Sequence, residues 1–381
     1  MLPPLALYVH MPWCVRKCPY CDFNSHQLKS AQPPDTYIDA LIRDFELELP
    51  FINGRRIESV FFGGGTPSLF SPADFDRLLR ALRALSSFAS DAEITMEANP
   101  GAVERGAFTG YRDAGINRVS LGAQSFSADA LRRLGRIHAA QDTERAVDDL
   151  RAAGINNFNL DLMYGLPEQS VEQSLDDLRI ACALRPAHLS HYQLTLEPGT
   201  VFHSRPPPLP DDDQAWTMQT ECQALLADQG FEQYEVSAYA RAGFRCRHNL
   251  TYWQFGDYVG IGAGAHGKIT EVAPKRILRT AKPKQPRDYQ AQVASAPRAF
   301  GERRWVPADE LPFEYMLNAL RLNEGFRDED YEARTGLPLL DLQSVLLQAQ
   351  AKELLQRSPR GWSATALGLR FLNDLQAGFL L

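Results

Sequence analysis

The sequence predicts an α/β protein: an open, partial (β/α)6 barrel over residues 1–240, a connecting segment over 241–305, and a mainly helical C-terminal domain over 306–381. Three observations carry that expectation. Short β-type runs alternate with amphipathic helical stretches six times before residue 240, the order that builds a parallel sheet. A closed eight-fold barrel takes about 250 residues, so six units stop short of closure. Polar and glycine-rich tags follow the strands directly, at the end where such barrels place their chemistry.

Taken in order, residues 5–11 read as the first strand and 35–49 as a helix with Ile38, Leu41, Ile42 and Phe45 on one face. The second strand, 57–62, ends at Gly63-Gly64-Gly65-Thr66-Pro67. Ser71-Pro72 is a capping residue followed by proline at the first helical position, and starts a helix to about residue 85. Strands three to six fall at 93–98, 118–122, 157–163 and 188–196. Between them lie a helix ending near Ala114, one over 143–153 stopped by Gly154, and one over 171–184. A helix over 214–229 and a strand over 233–239 follow.

Residues 268–304 carry ten Lys or Arg against three Asp or Glu and read as a solvated linker or surface crossover. The alternative is an electropositive surface for an acidic partner, for propionates or for lipid phosphates at a membrane periphery. Helices over 314–322, 328–335 and 339–350, a hairpin around 358–362 and a last helix near 367–375 follow the order of a winged helix. Eleven acids against seven bases beyond residue 305 argue against duplex DNA and for a docking or structural role.

The net charge of −7 excludes a general nucleic-acid binder, which is basic. No apolar run reaches the roughly 18 residues of a membrane span. Residues 1–7 are too short and uncharged for a signal peptide. Six cysteines in two groups of three do not form a disulfide framework, so the expected setting is the reducing cytoplasm.

The chemistry begins at Cys14, Cys18 and Cys21, spaced C-x3-C-x2-C behind the first strand. That spacing folds three thiolates around one small volume, and soft thiolates select iron–sulfur clusters or zinc. Structural zinc needs four protein ligands, and no fourth thiol stands near Cys21, so His10 or His26 would have to close the site. A [4Fe–4S] cluster with three thiolates keeps one iron open for a ligand. This spacing, with Tyr20 before the last cysteine, resembles the radical S-adenosylmethionine (SAM) superfamily. The resemblance implies that the open iron chelates the amino and carboxylate groups of SAM.

The triple glycine after strand two lets backbone approach a ligand, and resembles the loop that receives the methionine amino group. Glu97, Gln124, Arg136 and Asp161 sit on or after strands three to five. A sulfonium ligand with an amino acid tail and a ribose needs such carboxylates and a guanidinium.

Tyr8-Val9-His10-Met11-Pro12-Trp13-Cys14, Gly63-Gly64-Gly65-Thr66-Pro67-Ser68, Gly122-Ala123-Gln124-Ser125-Phe126, the run Asp161 to Pro167 and Tyr258 to Ala265 together resemble the oxygen-independent coproporphyrinogen III dehydrogenase group, over nearly the whole chain. The resemblance implies SAM contacts at Tyr8, Gly64, Gly65, Thr66, Glu97, Gln124, Arg136 and Asp161, with Tyr20 flanking the cluster.

The dehydrogenase branch carries a further cysteine where this chain has Phe23, and an N-terminal extension ahead of the first strand. Instead, His248-Asn249-Leu250-Thr251-Tyr252-Trp253 resembles the His-Asn-x-x-Tyr-Trp signature of a heme chaperone branch. That likeness implies heme as cargo, an acceptor protein, a reductant for the cluster, and no decarboxylation of coproporphyrinogen. His248 is the implied iron ligand, with Tyr252 and Trp253 as an apolar wall. His191, His266 and Cys246 read first as packing residues.

Overall fold

The computed structural model describes residues 2–29, 33, 35–101, 107–296, 298 and 300–380. Its frame is a twelve-stranded sheet. In chain order the strands are β1 (Leu5–Met11), β2 (Ile57–Gly64), β3 (Phe88–Ala98), β4 (Arg118–Gln124), β5 (Phe158–Tyr164) and β6 (His188–Gln193). They continue with β7 (Glu232–Glu235), β8 (Ala238–Ala240), β9 (Asp257–Ile261), β10 (His266–Val272), β11 (Lys275–Ala281) and β12 (Glu302–Trp305). Side by side the order is β12-β11-β10-β9-β1-β2-β3-β4-β5-β6-β8-β7. Strands β1 to β6 are parallel, and β9 joins them on the far side of β1. Antiparallel strands extend both flanks. The edges β7 and β12 do not pair, so the barrel is partial and open.

Central parallel strands are covered on both faces and therefore read as near-continuous apolar runs. In β1, Leu-Ala-Leu-Tyr-Val-His-Met, every residue but Tyr8 is buried. Val9, Phe62, Met96, Leu121 and Leu160 from β1 to β5 meet the helices in one core. The helix Pro72–Leu85 starts as its sequence requires. The Ser71 hydroxyl accepts from the Asp74 N–H at 3.2 Å, and the Asp74 carboxylate accepts from the Ser71 N–H at 2.9 Å. The next helix-capping carboxylate moves a boundary: Asp142 accepts from the Ala139 N–H, and the helix begins at Ala140 rather than Thr143.

Two readings of the chain are corrected. The single strand expected over 233–239 is the hairpin β7–β8, because Glu235 Oε1 accepts from the N–H and hydroxyl of Ser237 and turns the backbone. The basic stretch 268–304 is not a linker: β10, β11 and β12 lie in it and continue the main sheet beyond β9. Its positive charge is partly neutralised. Six of its ten cations are spent on ion pairs: Lys268 with Asp257, Arg276 with Glu271, Arg279 with Glu314, Lys282 with Asp44 and Glu48, Arg303 with Glu48 and Arg304 with Glu310.

The C-terminal region packs helices Leu311–Ala319, Asp328–Thr335 and Gln343–Ala351 with the hairpin Leu355–Ser358 and Gly361–Ala364 around Tyr315, Phe326, Tyr331 and Trp362. It is fastened to the β7 edge, where the Asn323 N–H donates to the Tyr234 carbonyl at 3.1 Å and Arg321 pairs with Glu235 at 3.0 Å.

Candidate functional site

The carboxyl ends of β1 to β6 converge on a cavity of about 310 Å³, and Cys14, Cys18 and Cys21 form one wall of it. Their loop is held from three sides. His26 N–H donates to the Pro12 carbonyl at 2.7 Å, Phe202 N–H to the Pro19 carbonyl at 3.0 Å, and Asn24 Nδ2 to the carbonyls of Ala263 and Lys284, each at 2.9 Å. Each sulfur has a polar neighbour: Thr66 Oγ1 lies 3.5 Å from Cys14, an Arg136 nitrogen 3.8 Å from Cys18, and Ser25 Oγ 3.9 Å from Cys21. Burial pushes the Cys14 and Cys21 thiols up, so a bound metal is what would hold them as thiolates. Three partly exposed thiols on one wall, each with a neighbour able to donate toward sulfur, fit a cluster.

The opposite wall comes from strand ends in register. Glu97 of β3 pairs with Ser120 of β4, and Asp161 of β5 with Ser190 of β6, so their side chains point to the same side. All four line the cavity, together with Tyr20, Gly64, Gly65, Thr66, Gln124 and Arg136. Tyr8 is the one expected SAM contact that does not; it faces a neighbouring cavity beside Glu97. Gly64 sits at φ +112°, and a Cβ there would lie 2.4 Å from the His10 ring. This is a place where only glycine fits. Its N–H donates to Glu97 Oε2 at 3.1 Å. Gln124 holds φ +66°, an uncommon backbone for a non-glycine, and the Tyr192 hydroxyl donates to its Oε1 at 2.9 Å.

The electrostatics favour a cationic guest. Burial, with Asp161 adding to it and the Gly64 N–H offsetting part, raises the Glu97 carboxyl to about 8. Burial also raises Asp161, against hydrogen bonds from Ser120, Asn159 and Ser190. Arg136 stays a cation and is aimed by two acceptors, Asn99 Oδ1 at 2.6 Å and the Gly122 carbonyl at 2.7 Å. Asn99 in turn donates to Thr66 Oγ1 at 2.8 Å. Asn99, Ser120, Tyr192 and Asn24 were not singled out from the sequence. For Asn99 the signal was its place directly after strand three, before Pro100-Gly101.

Of the residues expected around heme, His248 and Tyr252 touch, while Trp253 faces elsewhere. His248, on the helix Arg247–Trp253, is 1% exposed and stacks on Phe61 at 5.1 Å. Both its ring nitrogens are engaged, with Ser59 Oγ at 3.2 Å and the Tyr252 hydroxyl at 2.9 Å. Burial lowers its pKa to about 3, and it offers no free nitrogen in this conformation. Tyr252 lines the neighbouring cavity of about 710 Å³, which shares Phe23, Gly64 and Glu97 with the first. Trp253 instead faces a cavity of about 440 Å³ against the C-terminal region, with Arg321 over its ring at 4.4 Å. His191 is buried against Tyr164, and Cys246 is buried beside Glu93.

Comparison with known proteins places this geometry. The Radical SAM superfamily model matches residues 8–180 and the HemN C-terminal domain model residues 306–371. The heme chaperone HemW of Escherichia coli is 49% identical over 100% of this chain and 99% of its own length. The chain belongs to the HemW heme chaperone family. HemW of Haemophilus influenzae is 46% identical, with 100% of this chain and 98% of that one covered. The mitochondrial radical S-adenosyl methionine domain-containing protein 1 of Bos taurus is 35% identical over 98% of this chain and 87% of its own. The solved structure of the coproporphyrinogen III oxidase HemN from Escherichia coli superposes with a TM-score of 0.83 at 24% identity, over 99% of this HemW-family chain and 90% of that one, and the two share a fold. Among the described residues no helix is long and apolar enough to cross a membrane.

Proposed function

We propose that this protein is a cytoplasmic heme chaperone that binds a [4Fe–4S] cluster, SAM and heme and passes heme to an acceptor protein, without coproporphyrinogen dehydrogenase activity. The observation that carries the reading is the cavity in which three thiols face Glu97, Asp161 and Arg136, in a chain that is similar along its whole length to heme chaperones. Cys14, Cys18 and Cys21 would hold the cluster. When bound, the cluster supplies an open iron for the amino and carboxylate groups of SAM and an electron from an external reductant.

The remaining work falls to side chains. Two half-buried carboxylates and one guanidinium complement the two positive groups and single carboxylate of SAM. Gly64 and Gly65 let backbone reach the ligand, Thr66 and Gln124 add polar contacts, and Tyr20 walls the cluster side. Tyr8 lines the neighbouring cavity with Glu97 and its hydroxyl meets His10 Nδ1 at 3.0 Å. Phe23, at the position of the dehydrogenases' further cysteine, closes the same wall with carbon instead of sulfur. A reducing compartment suits six cysteines that are all unpaired.

One anaerobic sample tests the reading. After reconstitution it should contain iron and labile sulfide, develop a Soret band on titration with ferric heme, and leave coproporphyrinogen III unchanged under reducing conditions with SAM. Formation of protoporphyrinogen IX would establish the dehydrogenase reading in its place. Zinc without labile sulfide would leave only a stapled scaffold.

A further inference from the structure

We propose that the outer face of the cluster loop, centred on Val15, Arg16 and Ile137, docks an acidic protein that carries a one-electron redox cofactor and delivers the electron by way of Cys18. The inference rests on the cluster reading above and gives the external reductant a place. A cavity of about 300 Å³ opens on this face, with Val15, Leu69, Pro100 and Ile137 among its apolar walls. Its inner end is formed by Cys18, Thr66, Asn99 and Arg136, and the same four residues line the cavity of thiols behind it. Of the three cysteines of the loop, Cys18 alone borders both cavities. It therefore stands in the wall between the SAM-type pocket and the outer face.

The chemistry of the face selects the partner. Val15 is 45% exposed and Ile137 67%, so two aliphatic side chains stand open to solvent at the mouth of the pocket. An apolar centre within a polar rim is the anatomy of a protein contact. Here the rim is positive. Arg16 and Lys17 are exposed, and neither pairs with a carboxylate among the described residues; Lys17 Nζ donates only to the uncharged carbonyls of Phe23 and Ser25, at 3.0 and 3.5 Å. Asp142, the acid of this pocket, accepts from the Ala139 N–H and pairs with Arg145. Arg132 and Arg133 are balanced by Asp129 and Glu168, and Asp22 lines the neighbouring cavity instead. In a chain of net charge −7, a local positive face is what lets an acidic partner approach. A [4Fe–4S] centre takes electrons singly, so the donor's cofactor is a flavin or an iron–sulfur centre rather than a hydride carrier. The donor is oxidised by one electron, the cluster is reduced by one, and no bond or proton moves.

The test uses the anaerobically reconstituted full chain, with reduced flavodoxin, an acidic flavoprotein that gives single electrons, as the probe. Calorimetry reads binding; stopped-flow absorbance and electron paramagnetic resonance read reduction of the cluster. The wild-type rate is expected to fall about tenfold or more from low to high salt. Ile137→Asp and Arg16→Glu are each expected to weaken binding and slow reduction about tenfold or more. Iron and sulfide content stay unchanged in both, as does the rate with dithionite, a small reductant that needs no docking face. Lys352→Glu, the same change of charge on an exposed residue of the C-terminal region, keeps the wild-type affinity and rate. Wild-type affinity and rate in both Ile137→Asp and Arg16→Glu overturn the proposal. So does free reduced flavin mononucleotide that matches the flavodoxin rate at equal concentration, since no protein partner is then needed. Material that assembles no cluster removes the cluster reading itself, and the iron and sulfide assay shows that before any donor is added.

Discussion

Asn99 is the residue whose removal most directly tests how the SAM-type pocket is organised, because it touches two contributors at once. It accepts from Arg136 at 2.6 Å and donates to Thr66 at 2.8 Å, and Thr66 in turn reaches Cys14. Asn99→Ala deletes one hydrogen bond to a charged group, worth about 1.5–3 kcal/mol, and one neutral bond, worth about 0.5–1.5 kcal/mol. Arg136 keeps the Gly122 carbonyl, so its side chain loses aim rather than its place in the fold. If about 1.4–2.8 kcal/mol of that loss is transmitted to the ligand, SAM binding weakens roughly 10- to 100-fold. Calorimetric titration of SAM into cluster-loaded protein measures it, with iron and sulfide assays as the control. Asn99→Asp retains the acceptor for Arg136 and loses only the donor to Thr66, so it should recover most of the affinity. Unchanged SAM affinity in Asn99→Ala would refute the chain of contacts from Asn99 through Arg136 to the ligand.

Two further predictions concern the frame around the site. Asn24→Ala removes both bonds that tie the cysteine loop to Ala263 and Lys284 and should speed loss of the cluster to an iron chelator several-fold, while the thermal unfolding of the metal-free chain changes little; equal rates in the two proteins would show that the loop does not need this tether. Asp257, buried at the start of β9, receives Lys268 at 3.0 Å and Arg55 at 2.8 Å, and Asp257→Asn should cost about 3–5 kcal/mol by stranding Lys268 without its counterion. Burial alone would raise the Asp257 carboxyl, but Lys268 and Arg55 outweigh it and hold the group below its ordinary 3.8. A carboxyl lowered by folding contributes stability that is present above 3.8 and lost as pH falls through its lower folded value. The stability gap between wild type and Asp257→Asn should therefore narrow on acidification below that range, as read from urea unfolding at a series of pH values. A gap that widens there would reverse the assignment.

Much of the site was legible because its residues are tied to local sequence. Cys14, Cys18 and Cys21 share one short loop, and Gly64, Glu97 and Gln124 lie at strand ends that the apolar runs announce. Since parallel strands align their carboxyl ends, residues distant along the chain were expected on one face, and Glu97, Gln124, Arg136 and Asp161 do line one cavity. The strands flanking β1 were less legible. Lys268, Arg276 and Arg279 in β10 and β11, and Lys282 just beyond, look solvated when counted by composition, but each pairs with a carboxylate, and those of Arg279 and Lys282 lie far along the chain. Alternation of sheet residues was masked by charges whose partners, such as Asp44 and Glu314, lie elsewhere in the chain.

The chain alone determined the alternation of strands and helices from β1 to β6, the three-thiol loop and the glycine turn, since each depends on spacing within a few residues. Tertiary structure alone decided which way His248 faces. On the helix Arg247–Trp253 the i, i+4 spacing places His248 and Tyr252 on one side, yet nothing local says whether that side meets the core or a ligand. Contacts with Ser59 and Phe61 of β2 turn it inward. The rotation of a short helix is set by the surfaces it packs against, and those surfaces come from distant parts of the sequence.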